Sequence, residues 1–128
     1  MGCRILVVDD AIFFRRLIRA RLEAEEGFVV VGEARDGKEA IQLAGDLRPD
    51  VVVMDGSMPL LDGVDALPAI KRAAPGCRVV FLASERSVRD QALRAGADAA
   101  LNKSDSLQVC VDEIAVVHSS TPSRSPVS

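Results

Sequence analysis

A chain of 128 residues, 48% of them hydrophobic and 27% charged, has the size of one domain and the composition of an ordinary globular protein. The net charge is −3, and basic residues such as Arg15, Arg19 and Lys71 are scattered along the chain, which argues against direct binding to nucleic acid. No early apolar run is long enough for an export signal or a membrane span, so we expect a cytoplasmic protein with no membrane insertion.

Short valine-rich runs alternate along the chain with segments of helical periodicity. The runs predict five strands, at residues 5–9, 28–34, 51–55, 79–84 and 99–103. Apolar residues at Phe14, Leu17, Ile18 and Leu22 recur at helical spacing and predict the first helix. Further helices are predicted at 37–47, at about 63–73, at 87–95, and after Asp105, with an apolar stripe that reaches residue 117.

The alternation predicts an α/β protein with a flavodoxin-like (βα)5 fold. Right-handed crossovers would make the five-stranded sheet parallel and doubly wound, with strand order 2-1-3-4-5. We assign residues 1–117 to this domain. Residues 118–128 are rich in Ser, Thr and Pro without periodicity, so we expect them to form a disordered tail.

Polar residues stand where four of the predicted strands end. The first strand ends at Asp9-Asp10, the third at Asp55, the fourth at Ser84 and the fifth at Lys103. In open parallel sheets, ligands bind at the carboxyl ends of the strands, near the point where the strand order reverses. Each residue alone has an ordinary explanation, such as capping a helix. Polar residues at the ends of four strands, all at the same edge of the sheet, favour a functional site.

Three carboxylates at one edge repel one another, so a cation is expected among them. Oxygen ligands suit Mg²⁺, which could be held by Asp10 and Asp55. The remaining oxygen of Asp55 could then attack a phosphoryl group as a nucleophile. Lys103 would stabilise the charge on the phosphoryl oxygens, and the Ser84 hydroxyl would donate a hydrogen bond to one of them.

From residue 3 to about residue 117 the chain resembles the CheY-like receiver domains of response regulators. The matching motifs are Leu6-Val7-Val8-Asp9-Asp10, Val52-Val53-Met54-Asp55-Gly56-Ser57-Met58-Pro59, Leu61-Asp62-Gly63, Leu82-Ala83-Ser84 and Ala95-Gly96-Ala97-Asp98 before Lys103. The run Gly-Glu-Ala-Arg-Asp-Gly-Lys-Glu-Ala at 32–40 and Lys103-Ser104-Asp105 are most similar to the NarL/LuxR type, although no DNA-binding segment follows.

The resemblance implies a signalling receiver of a two-component system and not an enzyme acting on a separate substrate. It implies that Asp55 accepts the phosphoryl group from a histidine kinase or phosphotransfer protein, and that Ser84 and Lys103 contact that group. Asp9, Asp10 and the Ser57 backbone carbonyl would serve Mg²⁺ directly or through water. The signal would pass to a downstream output protein, and we expect a monomer or weak dimer.

Three other functions share some of these features. A phosphatase of the haloacid-dehalogenase type needs a second aspartate two residues after the first, where this chain has Ser57. A dinucleotide-binding module needs a glycine-rich turn after the first strand, where this chain has Asp9-Asp10-Ala11. The third is a receiver-fold interaction module that signals without phosphorylation, because Ala100 stands where the family usually has an aromatic switch residue.

The cysteines and the single histidine carry no motif. Cys3, Cys77 and Cys110 show neither C-x-x-C nor Cys/His ligand spacing, and we interpret them as reduced, structural thiols. His118 stands alone at the start of the predicted tail, and we expect neither a phosphocarrier nor a metal-binding role for it.

Overall fold

The structure, a computed structural model, describes residues 2–56 and 63–119. Strands and helices alternate along these residues. They are β1 (Cys3–Val8), α1 (Ile12–Glu23), β2 (Phe28–Ala34), α2 (Gly37–Leu47), β3 (Val51–Asp55), α3 (Gly63–Ala73), β4 (Arg78–Ala83), α4 (Arg86–Arg94), β5 (Ala99–Asn102) and α5 (Leu107–Ser119). The strands are parallel in the order β2-β1-β3-β4-β5, which confirms the predicted flavodoxin-like (βα)5 fold.

The central strands are buried on both faces of the sheet, as expected for a parallel sheet covered by helices. In β1, Ile5 and Val7 pack on the α1 and α5 side, whereas Leu6 and Val8 pack against α2 and α3. This alternation follows from the two-residue period of a strand. Every residue of β3 is buried, which explains why its first four residues, Val-Val-Val-Met, are all apolar instead of alternating with polar ones.

The first helix differs from its prediction in the face that it buries. Ile18 and Leu22 are buried, but Leu17, which the helical pattern assigned to the same stripe, is 52% exposed. Successive helical residues point about 100° apart, so Leu17 lies beside the buried stripe instead of within it. Ile12 and Phe13 are exposed as well, the ring of Phe13 to 89%.

The last helix begins and ends later than the sequence suggested. It starts at Leu107, so Ser106, and not Asp105, directly precedes the first helical residue. It continues through His118 to Ser119, inside the segment assigned to the tail. Residues 120–128 lie outside the described residues, and their disorder stays a prediction.

The strand register brings the polar strand ends to one edge. Val8 pairs with Met54, so Asp9 lies alongside Asp55. On the other side of β3, Asp55 pairs with Leu82, two residues before Ser84. Ala83 pairs with Asn102, and the Lys103 N–H donates to the Ala83 carbonyl at 3.1 Å, so the lysine follows directly from the end of β5.

Candidate functional site

Three carboxylates meet at the carboxyl edge of the sheet. Asp9 is fully buried, Asp55 is 1% exposed, and Asp10 lies on the surface. One carboxylate oxygen of each residue lies within 4.8 Å of the other two. We call this group the acidic pocket. Two of its members come from the turn after β1 and one from the end of β3, so the pocket lies where the chain leaves β1 and β3 to opposite sides of the sheet.

The carboxylate of Asp9 is buried with only part of its hydrogen-bonding capacity used. Its Oδ1 accepts the Ala11 backbone N–H at 2.9 Å, whereas its Oδ2 is buried without a hydrogen-bond donor. Burial raises the pKa of Asp9 to about 6, and the charges of Asp55 and Asp10 act in the same direction. The Ala11 N–H and Lys103 oppose this rise without cancelling it. A bound cation would offset the repulsion between the carboxylates, and it would contact the Asp9 oxygen that has no hydrogen-bond donor.

Lys103 brings the positive charge of the site. Its Nζ lies 2.9 Å from Asp55 Oδ2, and its side chain is 25% exposed. The same nitrogen lies 5.0 Å from the centre of the Phe14 ring, at the first turn of α1. A ring at this distance attracts the ammonium group and restricts its position. The contact with Phe14 was not anticipated from the sequence, where Phe14 was one of four apolar residues at helical spacing.

Ser84 lies on the exposed turn that follows β4. Arg89 in α4 donates from Nη1 to the carbonyl oxygens of Ala83 at 2.9 Å and of Ser84 at 3.1 Å, which fixes the backbone of this turn.

Arg15 in α1 holds the turn after β1 in a similar way. Its Nη1 donates to the Asp9 carbonyl at 2.8 Å while its Nε donates to Glu33 at 2.7 Å. These two arginines lie one helical turn into the following helix, a position that no sequence motif marked.

The loop after Asp55 runs close to the sheet on both sides of the segment 57–62, which lies outside the described residues. A Cβ atom at Gly56 would lie 2.5 Å from the Phe81 ring, and one at Gly63 would lie 2.8 Å from the Asp55 carbonyl oxygen. Glycine is therefore needed at both ends of the loop. The predicted Mg²⁺ ligand Ser57 falls within that segment, so its carbonyl is not among the groups that the structure describes.

Ala100 in β5 is half-buried and packs against the core cluster that includes Phe81 and Ala92. Ala92 belongs to α4, so Ala100 faces the α4 side of the sheet. A methyl group at this position contacts the neighbouring helix without the volume of a ring.

A parallel sheet in this order, with carboxylates and a lysine at its carboxyl edge, defines the class of phosphorylatable signalling receivers. Residues 5–115 match the family model described as response regulator receiver domain, and the chain belongs to this family. It is a receiver of the two-component signalling type. No helix among residues 2–56 and 63–119 combines the length and the apolar character that crossing a membrane would require.

Curated relatives include a chemotaxis protein and several methylesterases. The chain is 35% identical over 99 residues to the chemotaxis protein CheY of Thermotoga maritima, covering 76% of this chain and 82% of that one. It is 47% identical over 81 residues to a protein-glutamate methylesterase/protein-glutamine glutaminase of Pseudoalteromonas atlantica, covering 63% of this chain and 21% of that one. The chain therefore spans about a fifth of the length of this methylesterase.

Solved structures of response regulator domains are also similar to this chain. The response regulator domain of Thermotoga maritima CheB superposes with a TM-score of 0.87 at 31% identity, covering 95% of this chain and all of that one. The receiver domain of the putative response regulator NarL from Mycobacterium tuberculosis superposes with a TM-score of 0.84 at 30% identity, covering 91% and 96% of the two chains.

Proposed function

We propose that Asp55 accepts a phosphoryl group from a histidine kinase or a phosphotransfer protein, with Mg²⁺ in the acidic pocket, and that a downstream output protein reads the result. The observation that carries this proposal is the meeting of Asp9, Asp10 and Asp55 with the Lys103 ammonium at one sheet edge. Apart from its own phosphorylation and slow dephosphorylation, the domain would have no enzymatic activity. We place its action in the cytoplasm and expect the domain to be a monomer or a weak dimer.

The acidic pocket suits a hard divalent cation. Its donors are carboxylate oxygens, and the buried Oδ2 of Asp9 has no hydrogen-bond donor. Asp9, Asp10 and Asp55 would hold Mg²⁺ directly or through water, and we expect the Ser57 carbonyl to contribute. Bound there, the ion would neutralise charge on the transferring phosphoryl oxygens.

In the transfer, a carboxylate oxygen of Asp55 forms a bond to phosphorus while the bond from phosphorus to the donor breaks. The donor leaves with the electron pair, and the product is an acyl phosphate on Asp55. Lys103, whose Nζ lies 2.9 Å from Asp55 Oδ2, would remain beside the new phosphoryl oxygens. Ser84, held on its turn by Arg89, would donate its hydroxyl hydrogen to one of them.

The exposed apolar face at the start of α1 suits the phosphodonor. Ile12, Phe13 and Leu17 are each more than half exposed, and α1 begins two residues after Asp10. A donor protein must bring its phosphohistidine to Asp55, so a hydrophobic surface beside the acidic pocket lies within its contact area. We therefore assign Ile12, Phe13 and Leu17 to the docking surface for the kinase or phosphotransfer protein.

The deciding experiment is intact-mass measurement after incubation with acetyl phosphate and Mg²⁺. We expect the mass of one phosphate to be added to the parent protein and none to be added to Asp55→Asn. Asp46→Asn, which changes an exposed carboxylate on α2, is the matched control and should be phosphorylated like the parent. Phosphate addition that persists in Asp55→Asn would refute the assignment.

One observation favours a second function, a receiver-fold module that binds its partner without being phosphorylated. Ala100 lacks the ring through which phosphorylation usually changes the surface near α4. The same mass measurement separates the two functions, because a parent protein that stays unmodified with acetyl phosphate and with candidate kinases supports the second.

A further inference from the structure

A second group of metal-binding side chains lies at the opposite edge of the sheet, where the strands begin. Cys3 opens β1, Asp50 directly precedes β3, and His118 lies in the last turn of α5. One ligand atom of each residue, the sulfur, a carboxylate oxygen and an imidazole nitrogen, lies within 4.8 Å of the other two. We call this group the Cys-Asp-His cluster. Its three members are remote from one another in the sequence.

The ligand chemistry of this cluster differs from that of the acidic pocket. Thiolate and imidazole ligands select borderline or soft transition metals such as Zn²⁺, whereas Mg²⁺ prefers oxygen alone. Three protein ligands with a fourth position filled by water form a common zinc arrangement. The cluster therefore suits a cation that the acidic pocket would not select.

The distances require only a small adjustment to reach zinc geometry. Bonds of about 2.0–2.3 Å in a tetrahedral site place the ligand atoms about 3.3–3.8 Å apart. His118 Nε2 lies 4.0 Å from Asp50 Oδ2, and the side chains of these residues are 41% and 42% exposed. Both side chains can move toward a metal, because neither is confined by the core. Cys3, at 2% exposure, is the fixed member.

A hydrogen bond from the backbone of Arg4 orients the carboxylate of Asp50. The Arg4 N–H donates to Asp50 Oδ2 at 2.9 Å, and the Asp50 N–H donates to the Arg4 carbonyl at 2.8 Å. A carboxylate with one such bond retains lone pairs for a metal. The Arg4 guanidinium donates to the Arg48 carbonyl at 2.7 Å. Two members of the cluster reach solvent through an open groove, which is lined by Gly2, Arg4, Val29, Asp50 and His118.

From this arrangement we propose that Cys3, Asp50 and His118 bind one Zn²⁺, with water as the fourth ligand, at a site separate from the acidic pocket. The metal would join the end of α5 to the starts of β1 and β3. Because a ligand that binds only the folded state stabilises it, Zn²⁺ should raise the melting temperature of the domain.

Binding must remove a proton from the thiol. Burial, together with the Asp50 charge, raises the pKa of Cys3 to about 11, so the free protein carries an S–H group at neutral pH. When the sulfur–zinc bond forms, the S–H bond breaks and the proton passes to solvent. No electron is transferred. Proton release in weakly buffered solution is thus a second signal of binding.

The test is titration of the full chain with Co²⁺ alone, followed by Zn²⁺. We expect a near-ultraviolet sulfur-to-cobalt absorption band and the strong visible bands of a tetrahedral site, both removed by Zn²⁺. His118→Ala, on the surface, should weaken Co²⁺ binding at least ~10-fold, since even residues that merely support a metal ligand cost that much. Asp50→Asn should act in the same direction.

Matched variants separate this site from other sources of the signal. Cys3→Ser should lack the sulfur band, whereas Cys77→Ser and Cys110→Ser, the other buried cysteines, should retain it. Asp9→Asn should also retain it, because the acidic pocket has no sulfur. Since Cys3 lies in the core and its variant could fold poorly, His118→Ala decides the matter. A parent protein without the sulfur band, or His118→Ala with parental affinity, overturns the proposal.

Discussion

Replacing Asp9 with asparagine should stabilise the protein in the absence of Mg²⁺ while weakening its response to Mg²⁺. Burial raises the pKa of Asp9 from an ordinary value of 3.8 to about 6. At about 1.4 kcal/mol for each pKa unit, keeping Asp9 ionised in the folded protein costs about 3 kcal/mol at neutral pH. Asparagine carries no charge, and its side-chain oxygen can still accept the Ala11 N–H that Asp9 Oδ1 accepts now.

The pH dependence gives the sign of this effect. Between about pH 4 and pH 6 the folded protein holds a proton on Asp9 that the unfolded chain has begun to lose. The free energy of unfolding of the parent should therefore fall, relative to Asp9→Asn, as the pH rises through this window. Near pH 4 the two proteins should be about equally stable. At pH 7.5, Asp9→Asn should be more stable by about 1–3 kcal/mol.

Urea unfolding at pH 4, 5, 6 and 7.5, with chelator and then with excess Mg²⁺, measures these differences. Mg²⁺ should stabilise the parent at pH 7.5, because it binds the ionised carboxylates of the folded state, and should have little effect on Asp9→Asn. Asp46→Asn serves as a control that keeps the parental pH profile. The reasoning is refuted if Asp9→Asn is no more stable than the parent at pH 7.5 without Mg²⁺.

Three further predictions concern docking, stability and switching. Phe13→Ser should slow phosphorylation by a kinase at least several-fold yet leave the rate with acetyl phosphate unchanged. Equal slowing with both donors would contradict the assignment of Phe13 to the docking surface. Asp98→Ala should lower the free energy of unfolding by about 1–3 kcal/mol in urea titrations. The reason is that Asp98 Oδ2 accepts the Val79 N–H at 2.8 Å and the Lys71 ammonium at 2.7 Å. An unchanged urea midpoint would show that these bonds are dispensable. Mg²⁺ and beryllium fluoride, a stable stand-in for the phosphoryl group on Asp55, should shift amide NMR signals mainly near Asp55 and residues 84–87, because Ala100 has no ring to move. Large shifts throughout 107–117 would show that another residue transmits the change to α5.

The sequence by itself determined the fold and the edge at which the site forms. Valine-rich runs that alternate with helical periods specify a parallel sheet, and the carboxyl ends of parallel strands must share one edge. Asp9, Asp55 and Lys103 each follow such a run, so their nearness could be expected before any distance was known. The limits of β2, β3, α2 and α3 are those predicted, whereas other limits, such as those of β1 and α5, differ by one or two residues. The ends of elements depend on hydrogen bonds that local patterns do not record.

Tertiary structure decided how side chains from different elements meet. The rotation of α1 about its axis exposes Leu17 and turns Phe14 toward Lys103 at 5.0 Å, and the helical period alone allows several such rotations. Likewise, Cys3 and His118 carry no shared motif, and only the packing of α5 against the sheet brings them together. Contacts of this kind depend on distances between remote segments, which the spacing of residues along one segment cannot specify.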